Sequence, residues 1–245
     1  MTGPVEVVAI VPAAGAGRRL GGGGAKALVL LDGRPLLAHA LACLEASRSV
    51  TAIVVVASPG AEEATAKAIA GEGLAKVTAV ITGGPVRQAS VALGLAALPP
   101  GPGFVAVHDA ARPLAGHDLV DKLLELLRAA GPGGPAGVVP GVPVTDTVRR
   151  VGEGELSLGV VDREQLRAIQ TPQLFVRAIL EEAHQRAARD GFEATDEAAL
   201  VERAGHQVRV MPGLVENLKV TTALDLAVAE VILARQAGRV PDRPG

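Results

Sequence analysis

Short aliphatic runs alternate with helical patterns along most of this chain. "VEVVAIV", "TAIVVVAS", "AKVTAVITGG" and "GFVAVHD" read as strands. Among them stand "RPLLAHALACLEAS", "GAEEATAKAIAGEG", "PVRQASVALGLAAL" and "HDLVDKLLELLRAA", whose apolar residues recur at helical spacing. Strands this apolar need cover on both faces, and helical crossovers make neighbouring strands parallel. The expected fold is therefore α/β: an open, mostly parallel, Rossmann-like sheet with helices on both sides.

The rhythm breaks at residues 142–158, "VPVTDTVRRVGEGELSL". Polar and apolar residues alternate there around a Gly-Glu-Gly turn, which predicts a β-hairpin protruding from the main body. One face of it needs cover. A partner subunit or the chain's own domain could supply that cover, and the pattern fits either. Beyond the hairpin, "VRAILEEAHQRAARDG" reads as a helix closed by Gly191. "TDEAALVERAG" reads as a helix with Thr195 as its N-cap. "HQVRVMPG" and "ENLKVT" read as strands, and Thr222 with Asp225 forms a capping box for a last helix. Residues 239–245 read as a frayed tail. With no repeat and no linker, residues 1–245 are expected to form a single domain.

Three Phe are the only aromatic residues, so the core must be aliphatic, and base stacking on single-stranded nucleic acid is disfavoured. A formal net charge of −2 gives no bulk attraction to nucleic acid or to an anionic membrane. Cys43 is the one cysteine, so there is no internal disulfide, and a reducing, cytoplasmic location is expected. The first strand is too short to span a membrane, and no basic segment precedes it.

That first strand leads into "VPAAGAGRRLGGGGAKAL". Ligands of open parallel sheets bind beyond the carboxyl ends of the strands. Glycines let backbone amides approach phosphate oxygens, and Arg18, Arg19 and Lys26 add charge. The loop is a candidate triphosphate cradle; the alternative is a solvated loop whose cations have no task. It matches neither the dinucleotide fingerprint, which needs a third glycine, nor a P-loop. A second cluster, "FVAVHDAARP", places Asp109 and Arg112 at the same sheet edge. Asp109 suits Mg²⁺ or a sugar hydroxyl. His108 is expected to be a packed, hydrogen-bonded imidazole.

Taken in order, "PAAGAGRRL", Lys26, "GGPVRQASV", "VHDAARP", "PVTDTV", "VDR", "QTPQ", "TDEA" and "ENLKVT" resemble the 2-C-methyl-D-erythritol 4-phosphate cytidylyltransferase family over nearly the whole chain. The resemblance implies a nucleotidyltransferase-type sheet that uses CTP and Mg²⁺. It implies attack by a phosphate oxygen of methylerythritol phosphate on the α-phosphorus of CTP, with pyrophosphate leaving. By position, Arg19 and Lys26 look like transition-state cations. Ala13, Ala14, Gly15, Gly17, Gly83, Gly84 and Ser90 look like the CTP pocket. Asp109 looks like the ribose and metal carboxylate. Arg112, Thr147, Arg163, Thr195 and Lys219 look like the methylerythritol phosphate side, with Arg163 and Lys219 counted as catalytic. Thr147 and Arg163 would reach the site from a partner subunit, so the resemblance implies a homodimer joined through the arm. Arg87 is either part of the same pocket or a helix surface charge.

Two positions depart from the family pattern. Ala25 stands where a proline commonly precedes the loop lysine, and Pro85 stands where an acidic residue is frequent; Pro85 has no amide to offer a base. Three other readings compete. A cytidylyltransferase for another polyol phosphate, such as ribitol 5-phosphate, would share the CTP half. A non-catalytic nucleotide sensor would not need Arg163 and Lys219 together. A nicotinamide oxidoreductase is disfavoured by the failed fingerprint.

Overall fold

The structure is a computed structural model and describes residues 7–15, 25–101 and 103–239. In chain order the elements are β1 (Val7–Pro12), β2 (Leu30–Leu31), β3 (Arg34–Pro35), α1 (Leu36–Ala46), β4 (Val50–Ala57), α2 (Glu62–Ile69), β5 (Val77–Thr82), α3 (Arg87–Ala96), β6 (Phe104–Val107) and α4 (Leu119–Ala129). They continue with β7 (Gly137–Pro143), β8 (Val148–Val151), β9 (Ser157–Val161), β10 (Arg167–Ile169), β11 (Gln173–Val176), α5 (Arg177–Asp190), α6 (Glu197–Arg203), β12 (Val208–Pro212) and α7 (Ala223–Gln236).

The main sheet runs β10-β7-β11-β6-β1-β4-β5, with β12 paired to β7. β1, β4, β5 and β6 are mutually parallel where they pair, as expected of strands joined by helices. The second half modifies the expectation, because β11 enters antiparallel between β6 and β7, and β10 is antiparallel to β7. The sheet is mixed around a mostly parallel centre.

Side-chain alternation sorts the core into two layers. Val7, Ala9, Val11, Ile53 and Val55 face α1 and α4, packing on Leu37, Leu41, Leu44, Leu123 and Leu127. Val8, Ile10, Val54 and Val56 face the opposite layer, with Val91 and Leu95 of α3 and Leu180 of α5. Gly94 lets α3 press onto the sheet, since a Cβ there would lie 2.6 Å from Ile10 Cγ2. This two-sided burial is why β1 and β4 read as continuous aliphatic runs.

A third cluster joins Leu31, Leu36, Leu114, Val220 and Ala229, and so clamps residues 216–221 between α7 and the body. "ENLKVT" was expected to be a strand. It is an extended strap instead, tied by a Val220 amide bond to the Ala111 carbonyl at 2.8 Å, with no ladder partner among the described residues. α7 carries the expected capping box of Thr222 and Asp225, and α5 ends at Gly191 in the left-handed conformation. α6 differs from expectation: its N-cap is Asp196, not Thr195, with the Asp196 carboxylate accepting from the Ala199 amide at 3.1 Å. A charged carboxylate one residue later bonds the free amide more strongly than a hydroxyl. Arg239, at the start of the expected tail, pairs with Asp32 at 2.6 Å; residues 240–245 lie outside the described set.

β8 and β9 form a separate two-stranded sheet, so the hairpin expected at 142–158 is displaced toward the C-terminus. Val142 and Pro143 still belong to β7 in the main sheet, and the second hairpin strand runs to Val161.

Candidate active site

β1 delivers Ala13, Ala14 and Gly15 to the carboxyl edge of the sheet. Segment 16–24 follows, so Gly17, Arg18 and Arg19 lie outside the described residues. The neck of the loop is pinned. The Ala13 amide donates to the Val56 carbonyl at 2.8 Å, and the Lys26 amide donates to the Gly15 carbonyl at 3.1 Å. Lys26 therefore starts a 3-10 turn, Lys26–Leu28, directly at the rim.

After β5 the chain turns sharply at Gly83 and Gly84. A Cβ at Gly83 would sit 2.8 Å from the Ala57 carbonyl and 2.9 Å from Ser90 Oγ, so the approach requires glycine. Ser90 is fully buried beneath this turn. Its hydroxyl accepts from the Gly84 amide at 3.1 Å and donates to the Val86 carbonyl at 3.2 Å. Ala13, Ala14, Gly15, Lys26, Gly84, Ser90 and Asp109 all line one cleft of about 420 Å³. Pro85 lines it too, two residues before α3.

A second cleft of about 450 Å³ opens beside the first. Arg112, Thr195, Thr171 and Gln173 line it, and it shares Arg87, Asp109 and Lys219 with the first cleft. Those three side chains are the junction. Arg87 Nε donates to one Asp109 oxygen at 3.0 Å, and Lys219 Nζ meets the other at 2.7 Å. Burial alone would raise the Asp109 carboxyl; the Arg87 and Lys219 charges more than offset it and hold it well below the usual carboxylate range. Arg87 is thus no surface charge. Desolvation works against its ionisation, but Glu197 and Asp109 overcome it and push the guanidinium pKa up.

The elements beneath fix this junction. Thr171 Oγ1 accepts from the Asp109 amide at 2.9 Å and lies 3.0 Å from His108 Nδ1. Burial pulls His108 down to about 4, so the imidazole is neutral at pH 7 and its Nδ1 can accept the Thr171 hydroxyl proton. His108 is fully buried, packed and hydrogen-bonded, as its sequence context indicated. Arg112 donates to the Asn217 carbonyl at 2.7 Å and to the Ile169 carbonyl at 3.2 Å, which buckles the strap to β10. Val220, locked in its apolar cluster, leaves Lys219 to project to Asp109.

Thr147 and Arg163 are not brought to these clefts within one chain. Both are exposed and line neither cleft; Arg163 Nη1 donates to the Thr145 carbonyl inside the arm segment. Conversely, the sequence reading missed Glu197, which is 1% exposed and bonded to Arg87. "TDEA" alone gives no signal of it, because an acidic residue in the first turn of a helix is ordinarily a solvated charge at the positive end of the helix dipole.

A family model described as 2-C-methyl-D-erythritol 4-phosphate cytidylyltransferase matches residues 7–235. The enzyme of that name from Streptomyces coelicolor is 45% identical over 241 residues, covering 95% of this chain and 87% of the relative. That from Streptomyces avermitilis is 46% identical over 239 residues, covering 94% and 93%. The chain belongs to this family. The crystal structure of the cytidylyltransferase from Thermus thermophilus superposes with a TM-score of 0.74 at 38% identity, covering 94% of this chain and 99% of that one. A 4-diphosphocytidyl-2C-methyl-D-erythritol synthase from Anaerococcus prevotii gives 0.79 at 25% identity, covering 94% and 98%. In this cytidylyltransferase family member, the two clefts and their charged junction occupy one continuous edge of the sheet.

Proposed function

We propose that the protein transfers the cytidylyl group of CTP to 2-C-methyl-D-erythritol 4-phosphate, releasing pyrophosphate and forming 4-diphosphocytidyl-2-C-methyl-D-erythritol. One observation carries the reading: in a chain of this family, a nucleotide-sized cleft and a second polar cleft meet at Arg87, Asp109 and Lys219. CTP fits the first cleft, with its base against Ala13, Ala14, Gly84 and Ser90 and its phosphates toward Gly15 and Lys26. Gly83 shapes the turn behind Gly84, and Gly17 and Arg19 join the phosphate side by family resemblance alone. The acceptor fits the second, against Arg112, Thr195 and Lys219.

The chemistry needs little proton transfer, because the acceptor phosphate is already an anion at neutral pH. Attack on the α-phosphorus places negative charge on the leaving pyrophosphate, and rate enhancement comes from positioning and charge neutralisation. Lys26, Arg19, Lys219 and the partner subunit's Arg163 supply that charge. The residues available as nucleophiles support direct transfer. Cys43 is buried with its thiol pushed up to about 12, and His108 is buried and already hydrogen-bonded.

Mg²⁺ is proposed as the metal. Among the described residues no three carboxylate, imidazole or thiol groups cluster into a cage. Both Asp109 oxygens already face cations, so Asp109 would offer Mg²⁺ little coordination, and the ion would be carried chiefly by the substrate phosphates and waters. When bound, it adds positive charge at the phosphates.

We also assign the protein to a cytoplasmic homodimer. No helix among the described residues is long and apolar enough to cross a membrane. Leu156, Leu158 and Val160 lie close together along the hairpin, 71%, 64% and 62% exposed, an apolar surface that a second arm or body can cover. On this reading Thr147 and Arg163, before and after the two hairpin strands, would enter a partner's acceptor cleft. The test is pyrophosphate release with CTP, Mg²⁺ and a panel of polyol phosphates. Methylerythritol phosphate is expected to turn over fastest; faster turnover of ribitol 5-phosphate overturns the assignment.

A further inference from the structure

Glu197 has no part in the roles above, yet it is the least exposed charge at the junction, at 1%. It opens α6, and both of its oxygens accept from Arg87 Nη1, at 2.9 and 2.7 Å. Arg87 Nε then holds one oxygen of Asp109, and Lys219 holds the other. Glu197, Arg87, Asp109 and Lys219 form a line of alternating sign that joins α6, α3, the end of β6 and the strap.

A carboxylate is buried this completely only when it is paired, and a structural explanation would be that Glu197 fastens α6. α6 is fastened by other means. Asp196 caps it, and the other Asp196 oxygen accepts from Gln173 Nε2 of β11 at 2.8 Å. Leu200 and Val201 of α6 sit in the core. Glu197 is thus presented from an independently anchored element to an arginine at the first position of α3, where several free torsions would otherwise let the guanidinium wander. Among the described residues, Glu197 and Asp109 are the only groups that hold Arg87.

We propose that Glu197 is a positioning residue: by fixing Arg87 it holds the Asp109 carboxylate in register at the junction of the nucleotide and acceptor clefts. The inference rests on the cytidyl-transfer reading for what the junction does, and on geometry alone for how it is held.

The test is a double-mutant cycle of Glu197→Gln, Arg87→Gln and both together. Melting temperature, calorimetric CTP affinity with Mg²⁺, and kcat and KM for both substrates are measured on each. Arg87→Gln leaves a buried carboxyl that can take up a proton instead of remaining charged, so the variant has a route to folding. The double variant carries no charge at either position and should melt near wild type. Glu197→Gln is expected to fold, and to lose about tenfold or more in kcat/KM, the scale of coupling inside one ion-pair network. Its effect on both CTP affinity and kcat/KM should vanish when Arg87 is already Gln, and the double variant should regain stability without regaining activity.

Additive losses would show that Glu197 does not act through Arg87. An unchanged kcat/KM per folded molecule, with only the melting temperature lowered, would show that Glu197 is purely structural. Either result overturns the proposal. If the wild type fails to turn over methylerythritol phosphate, the functional reading is what fails. The cycle is then read in CTP affinity, where a Glu197→Gln effect that persists without Arg87 contradicts the proposal. If Arg87→Gln alone does not fold, the double variant is compared with Glu197→Gln directly: equal activity supports the inference, and activity restored to wild type or reduced by a further factor overturns it.

Discussion

Lys26 and Asp109 show how little side-chain chemistry this edge of the sheet needs, provided charge is held in the right place. Lys26 sits on a 3-10 turn at the rim of the first cleft, partly exposed and outside the aliphatic layers. Lys26→Ala is therefore expected to lower kcat by about two orders of magnitude, the scale for one lost transition-state charge contact. The melting temperature should barely move. Steady-state kinetics beside a thermal melt check this, and parallel losses in both would make Lys26 structural.

Histidine sets the acid response of the fold. Burial lowers His108 and His184 from the ordinary 6.5 to about 4. Between those values the unfolded chain binds protons that the folded chain refuses, so stability falls as pH drops from 6.5 and levels off below about 4. Each histidine contributes up to about 3 kcal/mol across that window. Asp109, held low by its cations, follows the same sign in a separate window: its contribution is present above the ordinary 3.8 and is lost only at lower pH. Chemical denaturation from pH 7 to pH 4 should show the histidine slope, and His184→Gln should reduce it. An unchanged slope in that variant removes His184 from the account.

At the scale of elements, legibility followed the range of the forces involved. β1, β4, β5, α1 and α4 could be read directly because local periodicity and two-sided burial agree. The strap 216–221 was misread as a strand because its apolar residues are buried by α7 and Leu114, not by a ladder, and a β-like pattern does not record which partner does the burying. Thr195 fits the capping pattern as well as Asp196, which provides the cap, a one-residue difference between two capping types. The hairpin was legible as a hairpin but not in its limits, since Val142 and Pro143 alternate equally well as the end of β7. Glu197 escaped notice because its partner lies 110 residues away.

The arm carries the prediction at this scale. If it completes a partner's site, Lys26→Ala and Arg163→Ala homodimers should each be nearly inactive. Refolding equal amounts together should recover about one quarter of wild-type activity, because about half the dimers are mixed and each of those has one intact site of two. Exchange is verified by mass. Activity that stays at the single-variant level after exchange places Arg163 within its own chain.

Over the whole molecule, the nucleotide half was the more legible half of the candidate site. Its groups lie on contiguous loops after β1, β5 and β6, so ordered motifs bring them together. The acceptor half was less so: Arg112, Thr195 and Lys219 meet only after β11, α6 and the strap are folded back over the sheet, and Thr147 with Arg163 stay on the arm. Two clefts share one charged wall, and the proposed reaction passes the cytidylyl group directly between the bound substrates. Isotope exchange tests that most directly. Labelled pyrophosphate is incubated with the protein, CTP and Mg²⁺, with and without methylerythritol phosphate, and label entering CTP is counted. Direct transfer predicts label in CTP only when methylerythritol phosphate is present to carry the reaction forward and back. Label entering CTP in its absence would reveal a cytidylyl-enzyme intermediate and contradict the account.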